Sequence, residues 1–152
     1  MPETISGSML ADCASKILEK MFFATVFGDA GKPVAPAGPM LGAVVAFAGP
    51  QCGTLAIAVE TETPRTLAMD FLGLPSKDDL DPEKIEDTLG ELANMVCGST
   101  LSRFDDEGLF SLQHPSCGAH AVELAMSGEG IRLLLDIGEG TLALCLKIES
   151  AG

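Results

Sequence analysis

The chain of 152 residues, 47% of them hydrophobic, is long enough to bury one core and too short for a second independent one to be expected, so the sequence predicts a single domain over 1–152. Nine Lys plus Arg against 22 Asp plus Glu give a formal charge of −13, which disfavours nucleic acid and anionic membrane surfaces as partners. No apolar run reaches the roughly 18 residues of a spanning helix, and the N-terminal Met1-Pro2-Glu3-Thr4 lacks the basic region of a secretory signal, so a cytoplasmic address is expected.

Cys13, Cys52, Cys97, Cys117 and Cys145 are odd in number, widely spaced and mostly set among apolar neighbours, which fits reduced core thiols better than a disulfide framework. Along the chain, Leu10, Ala14, Ile17, Leu18 and Met21 fall at helical spacing and predict a first helix over Leu10 to Phe27, ended by Gly28-Asp29-Ala30-Gly31. Lys32 to Pro39, with three prolines, reads as a loop. Met40 to Phe47 and Thr54 to Glu60 read as a hairpin of two strands parted by Gly49-Pro50-Gln51-Cys52-Gly53. Thr63-Pro64 opens a short helix to Leu72, and an acidic loop follows from Ser76 to Asp81.

Asp81-Pro82-Glu83, a cap residue followed by a first-turn proline and acid, starts a second long helix that runs to about Arg103. Beyond it, Leu109 to Gln113, Ala119 to Met126, Gly130 to Ile137 and Thr141 to Ile148 read as four strands, parted by turns such as Gly128-Glu129-Gly130 and Gly138-Glu139-Gly140. The expected fold is α+β: two long helices packed on an antiparallel β-sheet of about six strands. The first helix reads Ser15-x-x-x-Glu19-x-x-Phe22 where the second reads Asp87-x-x-x-Glu91-x-x-Asn94, which suggests weak internal duplication.

On the second helix Ile85, Leu89, Leu92, Ala93 and Val96 share one side, the predicted core face. Asp87, Glu91 and Asn94 form a polar line on the other, at i, i+4 and i+7. Exposed helix faces are normally polar, so that line by itself reads first as an ordinary solvated surface. Two features point to docking instead. Gly90 and Gly98 lie near the same face although each costs about 1 kcal/mol relative to alanine in a helix interior, and Met95 and Leu101 are expected to put apolar surface at the edges of the polar line.

These residues resemble the signature of the CheC/CheX/FliY chemotaxis phosphatases: an Asp or Ser, three residues, Glu, two residues, Asn, and a later proline. Asp87, Glu91 and Asn94 match it, and Pro115 follows at slightly shorter spacing. The resemblance implies a phosphatase that acts on the aspartyl phosphate of a phosphorylated CheY-like receiver. By that resemblance Asn94 would orient the attacking water and Glu91 would pair with a receiver lysine, while Asp87, with Gly90 and Gly98 beside it, would contact the partner. No cofactor of its own is implied; Mg²⁺ is expected in the receiver. Phe22 stands where the first helix would need an amide, so one site is predicted, as in the CheX branch, and CheX-like relatives suggest a homodimer. The other reading is a non-catalytic adaptor that binds a receiver or flagellar-switch-like protein through the same helix.

Other constellations carry less. Glu19 reads as a solvated charge beside Lys16. His114-x-x-Cys117-x-x-His120 has ligand-type residues, but strand alternation would split them between faces and no fourth ligand is evident, so no metal site is predicted. The same residues lack an acid to orient a Cys-His nucleophile. The glycine pairs near 129 and 139 sit in turns with no helix after them, unlike nucleotide-binding loops.

Overall fold

The computed structural model describes residues 7–21, 40–49, 51–60, 81–104, 110–127, 130–136 and 141–149. In chain order the elements are α1 (Gly7–Met21), β1 (Met40–Ala48), β2 (Cys52–Glu60), α2 (Pro82–Phe104), β3 (Ser111–Leu112), β4 (Ser116–Cys117), α3 (Ala119–Ser127), β5 (Ile131–Asp136) and β6 (Thr141–Glu149). The predicted loop over Lys32 to Pro39, the helix from Thr63 to Leu72, the acidic loop from Ser76 to Leu80 and the turn at Gly138 to Gly140 lie outside the described residues, as do Phe22 to Phe27 of the first helix.

The six strands form one antiparallel sheet in the order β3-β1-β2-β6-β5, with β4 also pairing β1. The hairpins β1-β2 and β5-β6 meet through β2 and β6, so the run β1-β2-β6-β5 reads the same from either end; a long helix, α1 or α2, comes before each hairpin in the chain, with β3, β4 and α3 standing between α2 and β5. This order matches the duplication suggested by the two helices.

Strand alternation sends Val45, Phe47, Leu55, Ile57, Val59, Leu142, Leu144 and Leu146 to one face of the sheet, where they pack against Leu10, Ala14 and Leu18 of α1 and Leu89, Leu92, Ala93 and Val96 of α2. Leu10, Leu18, Leu89 and Leu92 are fully enclosed; truncating a leucine so placed costs about 2–5 kcal/mol. The opposite face carries small residues, Ala56, Ala58 and Ala143, and α3 lies on it through Val122 and Ala125. Gly42 lets that helix approach: a β-carbon there would stand 2.7 Å from the backbone nitrogen of Val122.

The segment Ala119 to Met126 is therefore a helix and not the predicted strand. Ala, Glu, Leu and Met favour helix and only Val122 is β-branched, and Ala121 and Ala125, one turn apart, are the residues it buries. The sixth strand comes instead from Ser116–Cys117, and the predicted strand over Leu109 to Gln113 shortens to Ser111–Leu112. Because α3 covers the second face, the helices lie on both sides of the sheet. No described helix is long and apolar enough to cross a membrane.

Candidate functional site

Helix α2 is anchored at its start by Asp81, whose Oδ1 accepts a hydrogen bond from the Lys84 backbone N–H at 2.8 Å, satisfying a free donor of the first turn. Thr88 and Thr100, buried polar residues on this helix, donate to the carbonyls of Lys84 and Val96 at 2.8 and 2.7 Å, so neither hydroxyl is left unpaired. Ile85, Leu89, Leu92, Ala93 and Val96 are all buried, as their spacing required. Leu101 is buried among them at 3% exposure and does not flank the polar line; Met95 is half-buried against the core.

The edge of the sheet next to α2 is irregular. On β1, Phe47 pairs with Leu112 and Val44 with Ser116, so Ala46 and Val45 face three residues, Gln113, His114 and Pro115. The extra residue is a β-bulge, which bends the edge strand out of the sheet. Gln113 keeps one ladder bond, its N–H donating to the Ala46 carbonyl at 2.8 Å, and Pro115 has no N–H to give. The bulge brings Pro115 down onto α2 at Gly90, where a β-carbon would stand 3.2 Å from Pro115 Cβ. Gly90 is buried for this reason.

Between helix and bulge lies a groove of about 520 Å³, lined by Glu86, Asp87, Gly90, Glu91 and Asn94 of α2 and by His114, Pro115 and Cys117. Two helical lines converge in it, Glu86-Gly90-Asn94 at four-residue steps and Asp87-Glu91-Asn94. The predicted residues Asp87, Gly90, Glu91 and Asn94 thus share one cavity with Pro115. Gly98 does not: it lies beside Leu112, whose Cδ1 would be an ordinary 3.5 Å from a β-carbon there. Both glycines lie against this chain's own edge segment, and only Gly90 is tightly packed there, which their helical positions did not reveal.

Asp87 and Glu91 are exposed, whereas Asn94 is half-buried. Its Oδ1 is enclosed and finds no hydrogen-bond partner among the described residues. Leaving a buried acceptor unsatisfied costs about 1–3 kcal/mol, and such atoms concentrate where a structure serves a function.

Cys117 also lines the groove, and its thiol contacts the Glu86 carbonyl at 3.5 Å. Burial, then the carboxylates of Glu86 and Asp87, push that thiol above its usual range, so it is a poor nucleophile at neutral pH. His120 points elsewhere, its Nε2 lying 3.2 Å from Ser116 Oγ. Among the described residues no three His, Cys, Asp or Glu side chains are grouped to hold a metal ion.

On α1, Glu19 is exposed and Lys16 pairs with Asp12 at 3.1 Å. Asp12 also accepts a hydrogen bond from Arg103, which ties the end of α2 to α1. Phe22 lies outside the described residues.

The groove thus offers three carboxylates at its rim, an amide in its floor and one imidazole on the opposite wall. Such a set can position a polar reactant and pair with basic side chains of a partner, and it contains no activated nucleophile. Glu86 and His114 are additions to the sequence reading. The i, i+4 step from Glu86 to Gly90 was a readable sign for the first; for the second the signs were Pro115 beside it and its place in the His114-x-x-Cys117-x-x-His120 run, considered in the sequence only for metal and nucleophile chemistry.

The α+β fold is shared by chemotaxis proteins of known structure. The chain is similar to the structure described as the CheX-CheY-BeF3-Mg²⁺ complex from Borrelia burgdorferi, at 20% identity and a TM-score of 0.69, covering 97% of this chain and 100% of that one. It is similar to a CheC-like superfamily protein from Shewanella sp. PV-4, at 22% identity and a TM-score of 0.69, covering 94% and 96%. Thermotoga maritima FliY matches at 14% identity and a TM-score of 0.57, covering 95% and 87%. No curated protein matches the chain in sequence. The family model for the chemotaxis phosphatase CheX matches residues 41–130, and the chain belongs to that family.

Proposed function

We propose that this protein hydrolyses the aspartyl phosphate of a phosphorylated CheY-like receiver. Asn94 orients the attacking water and Glu91 fixes the docking register by pairing with a basic receiver residue, with Asp87 a lesser contact at the rim. The observation that carries this reading is the enclosed, unpartnered Oδ1 of Asn94 in a groove beside Glu91 and Pro115. Membership of a family described as chemotaxis phosphatases supports it, as does likeness to a CheX solved with CheY.

The reaction asks little of the enzyme. Water attacks phosphorus, the P–O bond to the receiver aspartate breaks, and the proton leaves through the phosphoryl oxygens, giving inorganic phosphate and a free carboxylate. The transition state is loose, so positioning carries much of the rate. The receiver supplies Mg²⁺, and the phosphatase needs no cofactor of its own. Asparagine has no useful acid or base at neutral pH, which suits a role in orientation alone.

The test is the decay of a phosphorylated receiver from the same genome with and without this protein. Acceleration by the wild type, lost in Asn94→Ala with binding retained and weakened in binding by Glu91→Ala, is the expected result. Binding without acceleration would make the protein an adaptor.

A further inference from the structure

We infer that His114 reads the phosphorylation state of the receiver. This inference rests on the phosphatase reading above and adds a recognition residue that no signature position supplies. Of the described residues lining the groove, Glu86, Asp87 and Glu91 carry carboxylates, Gly90 and Pro115 carry no polar side chain, and the Cys117 thiol is held protonated. Only Asn94 and His114 can present an N–H to an anion, and only His114 can carry positive charge.

An acidic rim alone would oppose a phosphoryl group, because unpaired like charge across an interface is costly. His114 stands on the wall facing those carboxylates, on the one residue run that the bulge expels from the sheet. Edge bulges commonly re-aim a side chain in this way. The backbone on each side is held to β1, by Gln113 N–H to the Ala46 carbonyl at 2.8 Å and Gly118 N–H to the Gly42 carbonyl at 3.3 Å. The exposed imidazole is therefore carried on a fixed support and costs little ordering to use.

The carboxylates and the imidazole then divide the work. Glu91 and its neighbours meet basic residues that a receiver presents in either state, whereas His114 donates to the phosphoryl oxygens that exist only in one.

The experiment measures the affinity of wild type and of His114→Ala, His114→Gln and His114→Glu for a CheY-type receiver of the same genome, in Mg²⁺ with and without beryllofluoride. A hydrogen bond to a charged group is worth about a tenfold change in affinity or more. His114→Ala should lose about that factor for the beryllofluoride form and less than about twofold for the free form. His114→Glu should lose more and His114→Gln less. Equal losses in both forms, or none, would overturn the role of His114 while leaving the phosphatase reading intact. A wild type that does not accelerate dephosphorylation sinks the phosphatase reading, and this one with it. Circular dichroism melts of each variant verify that the exposed substitution leaves the fold unchanged.

Discussion

A β-carbon placed on Gly90 would meet Pro115 Cβ at 3.2 Å, tighter than ordinary packing, so the helix and the bulge are fitted together at a point where any larger residue would push Pro115 by a few tenths of an ångström. The same helix carries Gly98, where the nearest atom, Leu112 Cδ1, would lie at an ordinary 3.5 Å. Alanine is favoured over glycine in a helix interior by about 1 kcal/mol. Gly98→Ala should therefore raise the unfolding free energy by about 0.5–1 kcal/mol, read from urea denaturation. Gly90→Ala should gain nothing or lose stability, and should slow receiver dephosphorylation by shifting Pro115 and His114. Equal stabilisation at both positions would show that the bulge does not rest on the helix.

Asn94 offers a separation of stability from function. Replacing it with alanine removes an enclosed acceptor that has no partner among the described residues and installs a better helix former. The urea midpoint of Asn94→Ala should correspond to an unfolding free energy unchanged or raised by up to about 1 kcal/mol. A loss of more than about 2 kcal/mol would mean that the amide is a structural residue.

Thiol reactivity probes the groove from the other wall. Only the thiolate attacks a disulfide reagent. Cys97, pushed up to about 12 by burial, should be inert in the folded protein at pH 8. Cys117, raised by burial and then by Glu86 and Asp87, should be slower than Cys52 in a mass-spectrometric labelling time course, and Glu86→Gln should speed it.

The pairing of Asp12 with Lys16 and Arg103 makes a prediction about acid. Hydrogen bonds from Lys16 and then Arg103 hold the Asp12 carboxyl below the usual carboxylate range. A carboxylate depressed in the folded state stabilises it above the unfolded value and loses that contribution as pH falls through the folded one. Asp12→Asn should thus flatten the fall in thermal midpoint below about pH 4 and leave the protein less sensitive to added salt there. Lys16 and Arg103 are exposed and Asp12 is only partly covered, so the effect will be small.

Much of this architecture was readable in the residues. The cap at Asp81, the first-turn Pro82 and the periodicity of Ile85, Leu89, Leu92 and Val96 located α2 and its faces, and the hairpin of β1 and β2 followed from two apolar runs around Gly49. What escaped was α3. Its nine residues are too few for periodicity to separate helix from strand, and the helix formers Ala, Glu, Leu and Met were the better guide. A second clue lay in β2, where Leu55 to Val59 is apolar at every position; a strand of that kind is covered on both faces. Within the site, the line of Asp87, Glu91 and Asn94 is a local pattern and could be read from spacing. The groove depends on a one-residue mismatch between β1 and its edge partner, which exists only in the pairing.

That mismatch makes the groove a sensor of assembly. Its amide and acids belong to α2, but its far wall belongs to the sheet margin, and the two meet only when α2 is docked. A slight loosening of that margin, by warmth or low denaturant, should abolish catalysis while far-ultraviolet ellipticity stays whole, because sheet edges open at lower free energy than the core. Activity will then be lost before the secondary structure is.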